Sequence, residues 1–274
     1  INKKSNILIK ISEKNLGLGN EGYKISILPK ENLVVESNSE RGLFYGIETL
    51  KQIIHFTKRK REEESFTDFD VNLKVEQIKD IKSEQNFNAA NLTTAGYKNV
   101  NETGYYQGLE KVETKSLDVY NIRPMLIEDY PRFKYRGMMI DVSRHFMPKE
   151  FIKKFIDLMS IHKMNKFHWH LTDDHGWRIQ IQKYPKLTEI GSQRDGTIIG
   201  HARFAGKNPK FDNIPHGGFY TQEEIKDIIK YAQERFIEVI PEIDMPGHTA
   251  SLIASYPELG TLKEKTEVKK IWGV

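Results

Sequence analysis

Along the first 56 residues, apolar positions recur first with the period of a strand and then with the period of a helix. One face of the predicted strand carries Tyr23, Ile25 and Ile27. A turn beginning at Pro29 separates this strand from a second apolar run, LVVES. The apolar stripe of the helix that follows consists of Leu43, Ile47, Leu50 and Ile54. The pattern predicts a small α+β unit, which buries too little surface to be stable unless it packs on something larger.

Residues 57–122 show no sustained period and are rich in Lys, Glu, Asn, Ser and Thr. This composition predicts a long polar insertion, ordered in part at most, within a first domain of residues 1–130. Two sequons lie inside it, at Asn91 and Asn101, and they matter only if a eukaryotic cell secretes the protein. The basic run KRKR is followed at once by three glutamates, which is typical of a solvated linker rather than a nucleic-acid patch.

From residue 131 to residue 274, buried apolar strands alternate with amphipathic helices. The predicted strands are GMMIDV at 137–142, KFHWHL at 166–171 and FIEVIPEID at 236–244. Pro148 begins the first helix between them, and a capping box of Thr221 and Glu224 begins the second. Near-continuous apolar strands separated by helices indicate a parallel α/β sheet.

Polar side chains follow each of these strands at its carboxyl end. In chain order they are Asp141, Arg144, Asp173, Asp174, Glu242, Asp244 and His248. Active sites of parallel α/β barrels lie at this end of the strands. Three such clusters in register therefore predict an active site at this edge of the sheet.

His168 and His170 stand two residues apart on the second strand, so both project from the face opposite the strand's large apolar residues. Metal-dependent amide hydrolases hold a divalent ion with such a His-x-His pair and nearby carboxylates. Here only His248 adds another imidazole near the same edge, and buried histidines are more often satisfied by hydrogen bonds. The pattern favours packing, with a metal-dependent amidohydrolase-like barrel as the alternative.

Composition narrows the possible functions further. Charged residues make up 29% and hydrophobic residues 38% of the 274 residues, a balance typical of globular domains. A net charge of +4 and the lack of a recognisable motif give no indication of a nucleic-acid partner. No apolar run approaches the roughly 18 residues that span a bilayer, and INKKSNILIK has no signal-peptide core. Without cysteine, disulfides, thiolate metal sites and cysteine nucleophiles are excluded within this sequence.

Four longer segments occur in order between residues 131 and 260: YRGMMIDVSRHF, MNKFHWHLTDDHGWR, GGFYTQEEIKDIIKYAQER and VIPEIDMPGHT. Together they resemble glycoside hydrolase family 20, the β-N-acetylhexosaminidases. ERGLFYGIETLKQII, at 40–54, is similar to the end of the small domain that precedes the catalytic barrel in that family. The resemblance implies an α/β fold with a small non-catalytic α+β domain at 1–130. Residues 131–274 would then form about the first three βα units of an incomplete TIM (β/α)8 barrel.

The resemblance implies hydrolysis of terminal, non-reducing β-linked N-acetylglucosamine or N-acetylgalactosamine from glycans, with no cofactor and no metal. The substrate's own acetamido oxygen attacks the anomeric carbon in this retaining mechanism. Arg144 matches the arginine that binds the 3- and 4-hydroxyls of the sugar. Asp173 matches the aspartate that hydrogen-bonds His248, which in turn contacts the general acid. The residues alone leave simpler roles open: a salt bridge for Arg144, a helix cap or turn for Asp173, and a stabilised turn for His248.

Asp141, Asp174, Glu242 and Asp244 are weaker candidates, because each would equally serve to fix a loop at the edge of the sheet. His175 stands where the family commonly has glutamine, a difference that affects the pocket wall. Secretion or a lysosome-like location is implied by the resemblance alone. The sequence does not define the linkage preference, the natural glycan or the oligomeric state.

The resemblance also implies an adjacent Asp-Glu pair after the fourth barrel strand, in which the glutamate is the general acid. No Asp-Glu dipeptide occurs in these 274 residues. The expectation is therefore a truncated enzyme that is inactive on its own, or alternatively a non-catalytic sugar-binding remnant. Three parallel strands cannot close into a barrel, so the isolated chain is also expected to be poorly stable.

Overall fold

The computed structural model describes residues 7–29, 31–60, 71–74, 119–200 and 208–271. The chain divides into two units, Ile1–Pro131 and Arg132–Val274. Within the described residues, no helix combines the length and the apolar character that crossing a membrane requires.

The first unit is built on a four-stranded sheet. Its elements are β1 (Ile7–Ile11), β2 (Tyr23–Ile27), β3 (Leu33–Ser37), α1 (Glu40–Lys60), β4 (Val71–Lys74), β5 (Val119–Ile122) and β6 (Met125–Asp129). The sheet has the order β1-β3-β2-β6, with β1 parallel to β3 and the other two pairs antiparallel. β2 and β3 bury every second residue, as their alternating pattern predicted, whereas the sequence pattern did not predict β1 and β6.

Helix α1 packs on the sheet of the first unit through its apolar stripe. The fully buried residues of this core are Tyr23, Ile25, Ile27, Leu33, Val35, Tyr45, Leu50 and Ile122. The hydroxyl of Tyr23 donates to the carboxylate of Asp129 over 2.6 Å, which ties β2 to β6. The predicted face of β2 lies in this core, whereas of the predicted helix stripe only Leu50 is among its fully buried residues, and Leu43 and Ile54 are partly buried against it.

The predicted insertion at 57–122 has structured ends. Helix α1 continues to Lys60, and Val71–Lys74 pairs antiparallel with Val119–Ile122. The helix runs past its last apolar residue into the basic run, and the two short strands lie in the predicted insertion. Residues 61–70 and 75–118, which include both sequons, lie outside the described residues.

The second unit carries the alternating strands and helices. Its main elements are β7 (Gly137–Asp141), α2 (Lys149–Ile161), β8 (Lys166–Asp173), α4 (Gln222–Gln233) and β12 (Glu238–Ile243). The shorter ones are β9 (Gly176–Trp177), α3 (Lys186–Glu189), β10 (Gln193–Arg194), β11 (His216–Gly217), α5 (Ala250–Ser255) and a 3₁₀ turn (Pro257–Leu259). Pro148 precedes α2, and the predicted capping box of Thr221 and Glu224 begins α4.

Strands β7, β8 and β12 form a parallel sheet in the order β12-β8-β7, with the short β9 paired antiparallel to the end of β8. The register aligns Asp141 with His170 on one side and Glu242 with His170 on the other. Residues in such a row project from the same side of the sheet at neighbouring positions. The carboxyl ends of the three strands therefore bring three ionisable side chains together.

The two faces of this sheet differ in the described structure. Phe167, Trp169 and Leu171 point to the helix side, where they form a buried core with residues of α2 and α4. On the opposite face Met139 is 52% exposed, and about a third of the His168 side chain is exposed. In the described part of the chain, helices therefore cover only one face of the sheet.

Candidate active site

Arg144 lies directly after β7, where a turn built on Asp141 directs its side chain. One carboxylate oxygen of Asp141 accepts the backbone N–H groups of Ser143 and Arg144, each over 3.0 Å. The other oxygen accepts from the Arg144 guanidinium at 2.9 Å, and a second guanidinium nitrogen lies 2.6 Å from Asp173. About a third of the Arg144 side chain remains exposed. Two carboxylates thus fix a guanidinium whose open side can still bind a ligand.

His170 occupies the centre of the site, between two carboxylates. Its Nδ1 lies 2.7 Å from Glu242 and its Nε2 lies 3.1 Å from Asp173. Burial alone would lower the pKa of His170, but the hydrogen bonds to Asp173 and Glu242 raise this pKa to about 9. This pKa favours a ring that is protonated on both nitrogens at neutral pH and donates to both carboxylates, although the Arg144 guanidinium also lies 3.1 Å from Nε2.

His168 also binds Glu242, with its Nε2 2.5 Å from the carboxylate. Burial alone would raise the pKa of Glu242, yet the hydrogen bonds from His170 and His168 lower it. Both members of the His-x-His pair are thus engaged by one carboxylate. Among the described residues, the groups compatible with a metal ion are His170, Asp173 and Asp244, and Asp173, Asp174 and His248. His168 belongs to neither group.

The hydrogen-bond partner of His248 differs from the prediction. Nδ1 of His248 lies 3.0 Å from Asp174, whereas the nearest Asp173 oxygen is 3.6 Å away. Asp173 instead accepts from Arg144, from His170 and from the backbone N–H of Asp174. These contacts lower the pKa of Asp173 although its burial alone would raise it. Asp173 is thus engaged by three other donors, and the neighbouring carboxylate of Asp174 is the one within hydrogen-bond distance of His248.

His248 has a left-handed backbone, with φ at 50°, which side-chain-bearing residues seldom adopt. The loop around it is held by the second aspartate, since Asp174 also accepts the backbone N–H of Ala250 at 3.1 Å. The hydrogen bond to Asp174 raises the pKa of His248, and half of its side chain is exposed. Asp174 therefore orients an accessible imidazole and favours its protonated form.

Asp244 joins the site mainly through its backbone, whose N–H donates to the Thr172 hydroxyl over 2.9 Å. All seven predicted residues therefore lie around the carboxyl ends of the three strands.

Sequence reasoning did not identify the central position of His170, nor the buried residues Arg178 and Arg194 behind Arg144. The only available signal was that Arg178 closes the motif HGWR next to the two aspartates.

Two family models match the chain. The model of the glycosyl hydrolase family 20 catalytic domain covers residues 133–274, and the model of domain 2 of the same family covers residues 2–80. The chain belongs to glycosyl hydrolase family 20. The family resemblance noted from the sequence motifs is thereby confirmed.

Several bacterial proteins are similar to this family 20 chain. The beta-hexosaminidase of Porphyromonas gingivalis is 49% identical over 148 residues, which are 54% of this chain and 17% of that protein. The beta-hexosaminidase of Vibrio furnissii is 52% identical over 134 residues, which are 49% of this chain and 21% of that protein. The chain thus matches about a fifth of the length of these curated relatives.

Solved structures of family 20 share the fold. The GH20 exo beta-N-acetylglucosaminidase of Vibrio harveyi, in complex with N-acetylglucosamine, matches with a TM-score of 0.61 at 32% identity. That match covers 93% of this chain and 29% of the other. A second structure, of a beta-N-acetylhexosaminidase, gives a TM-score of 0.63 at 28% identity over 100% of this chain and 44% of its own. These likenesses support an α/β fold of the family 20 type.

Proposed function

We propose that this chain supplies part of the active site of a β-N-acetylhexosaminidase that removes terminal β-linked N-acetylhexosamine from glycans. Residues 131–274 would form about three βα units of its TIM barrel, with the small α+β domain at 1–130. The observation that carries the proposal is the pairing of a fixed, part-exposed Arg144 with the Asp174–His248 hydrogen bond at one strand edge. The names of the relatives and of the solved structures support the same chemistry.

Arg144 is proposed to bind the sugar. Its guanidinium is planar and presents donors in a fixed fork, which matches two neighbouring hydroxyl oxygens of one pyranose ring. Asp141 and Asp173 hold the guanidinium from one side and leave the other for the ligand. Glu242 and His170 complete the charge balance behind it, so we assign them to positioning rather than to contact with the sugar.

His248 is proposed to control a proton. In the neutral ring, when Nδ1–H donates to Asp174, the lone pair of Nε2 is free to accept a hydrogen bond from a general acid; in the protonated ring, Nε2 is itself a donor. Family resemblance assigns that acid to the glutamate of an Asp-Glu pair, which these 274 residues do not contain. We therefore infer that the relay works only together with residues outside this sequence, and that the 274-residue chain alone does not hydrolyse substrate.

Release of p-nitrophenol from its β-N-acetylglucosaminide and β-N-acetylgalactosaminide, by the full gene product and by the 274-residue chain, tests the function. We expect turnover by the gene product and none by the shorter chain. If the gene product binds N-acetylglucosamine in calorimetry but shows no turnover, the protein is a non-catalytic sugar-binding remnant and the proposal fails. If exhaustive dialysis against a chelator removes a bound metal and activity is lost with it, the result would instead support the amidohydrolase-like alternative.

The division of labour between the two aspartates has its own test. Asp174→Asn is expected to shift the pH profile of kcat, because the hydrogen bond to the Asp174 carboxylate is the largest cause of the raised pKa of His248. Asp173→Asn is expected chiefly to raise KM, because it releases Arg144. If Asp173→Asn alone altered the pH profile, Asp173 would be the partner of His248 in the working enzyme.

A further inference from the structure

The backbone that carries Arg144 is held on both sides. On one side Asp141 accepts the N–H groups of Ser143 and Arg144. On the other side the carbonyl oxygens of Val142, Ser143 and Arg144 all accept hydrogen bonds from two buried arginines. Three consecutive carbonyls bound by side chains are unusual in a connecting loop, where water commonly satisfies such groups.

Arg178 is the first of these arginines and is completely buried. It donates to Val142 O at 3.0 Å and Ser143 O at 2.9 Å. It also donates hydrogen bonds to two further carbonyls, Ser192 O at 2.6 Å and Gly218 O at 3.0 Å. Burial lowers the pKa of Arg178 to about 9, so it still carries its charge at neutral pH. One guanidinium thus joins the β7 loop to two other loops.

Arg194 is the second arginine, with 4% of its surface exposed. It donates to Arg144 O at 2.9 Å and to His175 O at 3.1 Å. The first carbonyl belongs to the loop of the sugar-binding arginine, and the second follows the Asp173–Asp174 pair directly. Arg194 therefore spans the two loops that carry the opposite halves of the site. Gly196 O and the Thr197 hydroxyl accept its other bonds and hold it in place.

We propose that Arg178 and Arg194 are positioning residues for Arg144. The inference rests on the proposed function, since it assumes that Arg144 binds the sugar. A guanidinium has donors at fixed angles in one plane, so carbonyls bound to it keep fixed relative positions. Substrate contacts held in this way cost little reorganisation on binding, and small displacements of such contacts are expensive. Neither arginine itself contacts the substrate.

Arg136 offers a matched control, because it also donates to backbone carbonyls. Its bonds reach Phe133 O and Lys163 O, each over 2.7 Å, before β7 and thus at the other end of the strands. Both Arg136→Lys and Arg194→Lys lose hydrogen bonds to backbone carbonyls, although Arg136 is only partly buried and Arg194 is buried. A role in stability alone leaves the KM of the folded enzyme unchanged in both variants, whereas a positioning role raises KM only in Arg194→Lys.

The test measures KM and kcat of the full gene product on the p-nitrophenyl β-N-acetylglucosaminide. We expect Arg194→Lys to raise KM about tenfold or more, and Arg136→Lys to leave KM unchanged. Adding Arg194→Lys to Arg144→Lys should change KM little further, because Arg194 acts through Arg144. Equal KM values for Arg194→Lys and Arg136→Lys, or additive effects in the double variant, would overturn the inference.

Two further outcomes are distinguishable. If Arg194→Lys does not fold, Thr197→Val removes only one acceptor of the same arginine, and a smaller rise in KM is expected. If the wild-type gene product does not hydrolyse the substrate, the proposed function fails. The inference is then decided by calorimetry with N-acetylglucosamine, where weaker binding by Arg194→Lys than by Arg136→Lys supports it. Wild-type protein that neither hydrolyses nor binds the sugar overturns both.

Discussion

We expect the imidazole of His170 to titrate near pH 9 in the folded protein. The ring is 95% buried and lies between the carboxylates of Asp173 and Glu242, at 3.1 Å and 2.7 Å. Burial alone would lower its pKa, but the hydrogen bonds to Asp173 and Glu242, together with the charges of Asp141 and Glu242, raise it to about 9. The Arg144 guanidinium lies 3.1 Å from Nε2 of the same ring. The positive charge of Arg144 already lies against Asp173, and the site remains stable because Asp141, Asp173 and Glu242 supply three negative charges.

A rise from 6.5 to about 9 corresponds to roughly 3 kcal/mol, at about 1.4 kcal/mol for each pKa unit. The folded state binds the proton more tightly than the unfolded chain does. This stabilisation is therefore complete below pH 6.5, and it is lost as the pH rises through 9. A variant without the imidazole has no such pH dependence.

NMR titration of the ring resonances of His170 measures this pKa directly, with His170→Asn to assign them. Glu242→Gln removes one of the two charges and is expected to lower the pKa of His170 by about one unit, or roughly 1.4 kcal/mol. Glu238→Gln is the matched control, since Glu238 lies at the other end of β12 and binds Lys166. A His170 pKa at or below 6.5, or equal shifts in Glu242→Gln and Glu238→Gln, would refute the reasoning.

Three other changes are expected to have defined effects. Arg144→Lys should lower kcat/KM for an aryl β-N-acetylglucosaminide about tenfold to a hundredfold, because lysine keeps the charge without the planar fork; steady-state kinetics would show it. Gly176→Ala should destabilise the protein by about 1–3 kcal/mol in urea unfolding, because the added Cβ would lie 2.3 Å from Arg178 Cζ. Gly247→Ala is the control, since its added Cβ meets nothing within 4 Å. The 274-residue chain alone should aggregate or melt broadly, because Met139 is exposed and, among the described residues, β7 and β12 each pair with a strand on one side only. A sharp, cooperative circular-dichroism melt of its monomer would contradict this.

The fold was predictable where burial alternates sharply along one element. β2 and β3 bury one side completely, and the stripe of α1 is buried at Ile47 and Leu50 and partly buried at Leu43 and Ile54, so their periods appear in the sequence. β1 and β6 bury their apolar residues only partly, and a short strand with that pattern has no clear signal. The end of α1 was also missed, because helices continue through charged residues that cost little in solvent.

The sequence predicted which residues lie at the candidate site but not which of them form hydrogen bonds and ion pairs with one another. Parallel strands place their carboxyl ends at one edge, which is why residues from three distant segments meet. Which carboxylate meets which cation depends on side-chain reach and strand register, and sequence spacing does not specify these. The roles of Arg178 and Arg194 left no signal, because their partners are backbone carbonyls, which every residue possesses.

His248 was predicted to bind Asp173 but binds Asp174, and the reason is the position at which β8 ends. Asp173 is its last residue and projects on the side of His170, so its carboxylate meets the two cations of the sugar-binding half. The chain then turns toward β9, and Asp174 faces the loop of His248 instead. The charge of Asp173 also raises the pKa of His248, but the hydrogen bond to Asp174 is the larger cause. We infer that adjacent aspartates serve separate halves of the site, joined rigidly because the Asp174 N–H donates to Asp173.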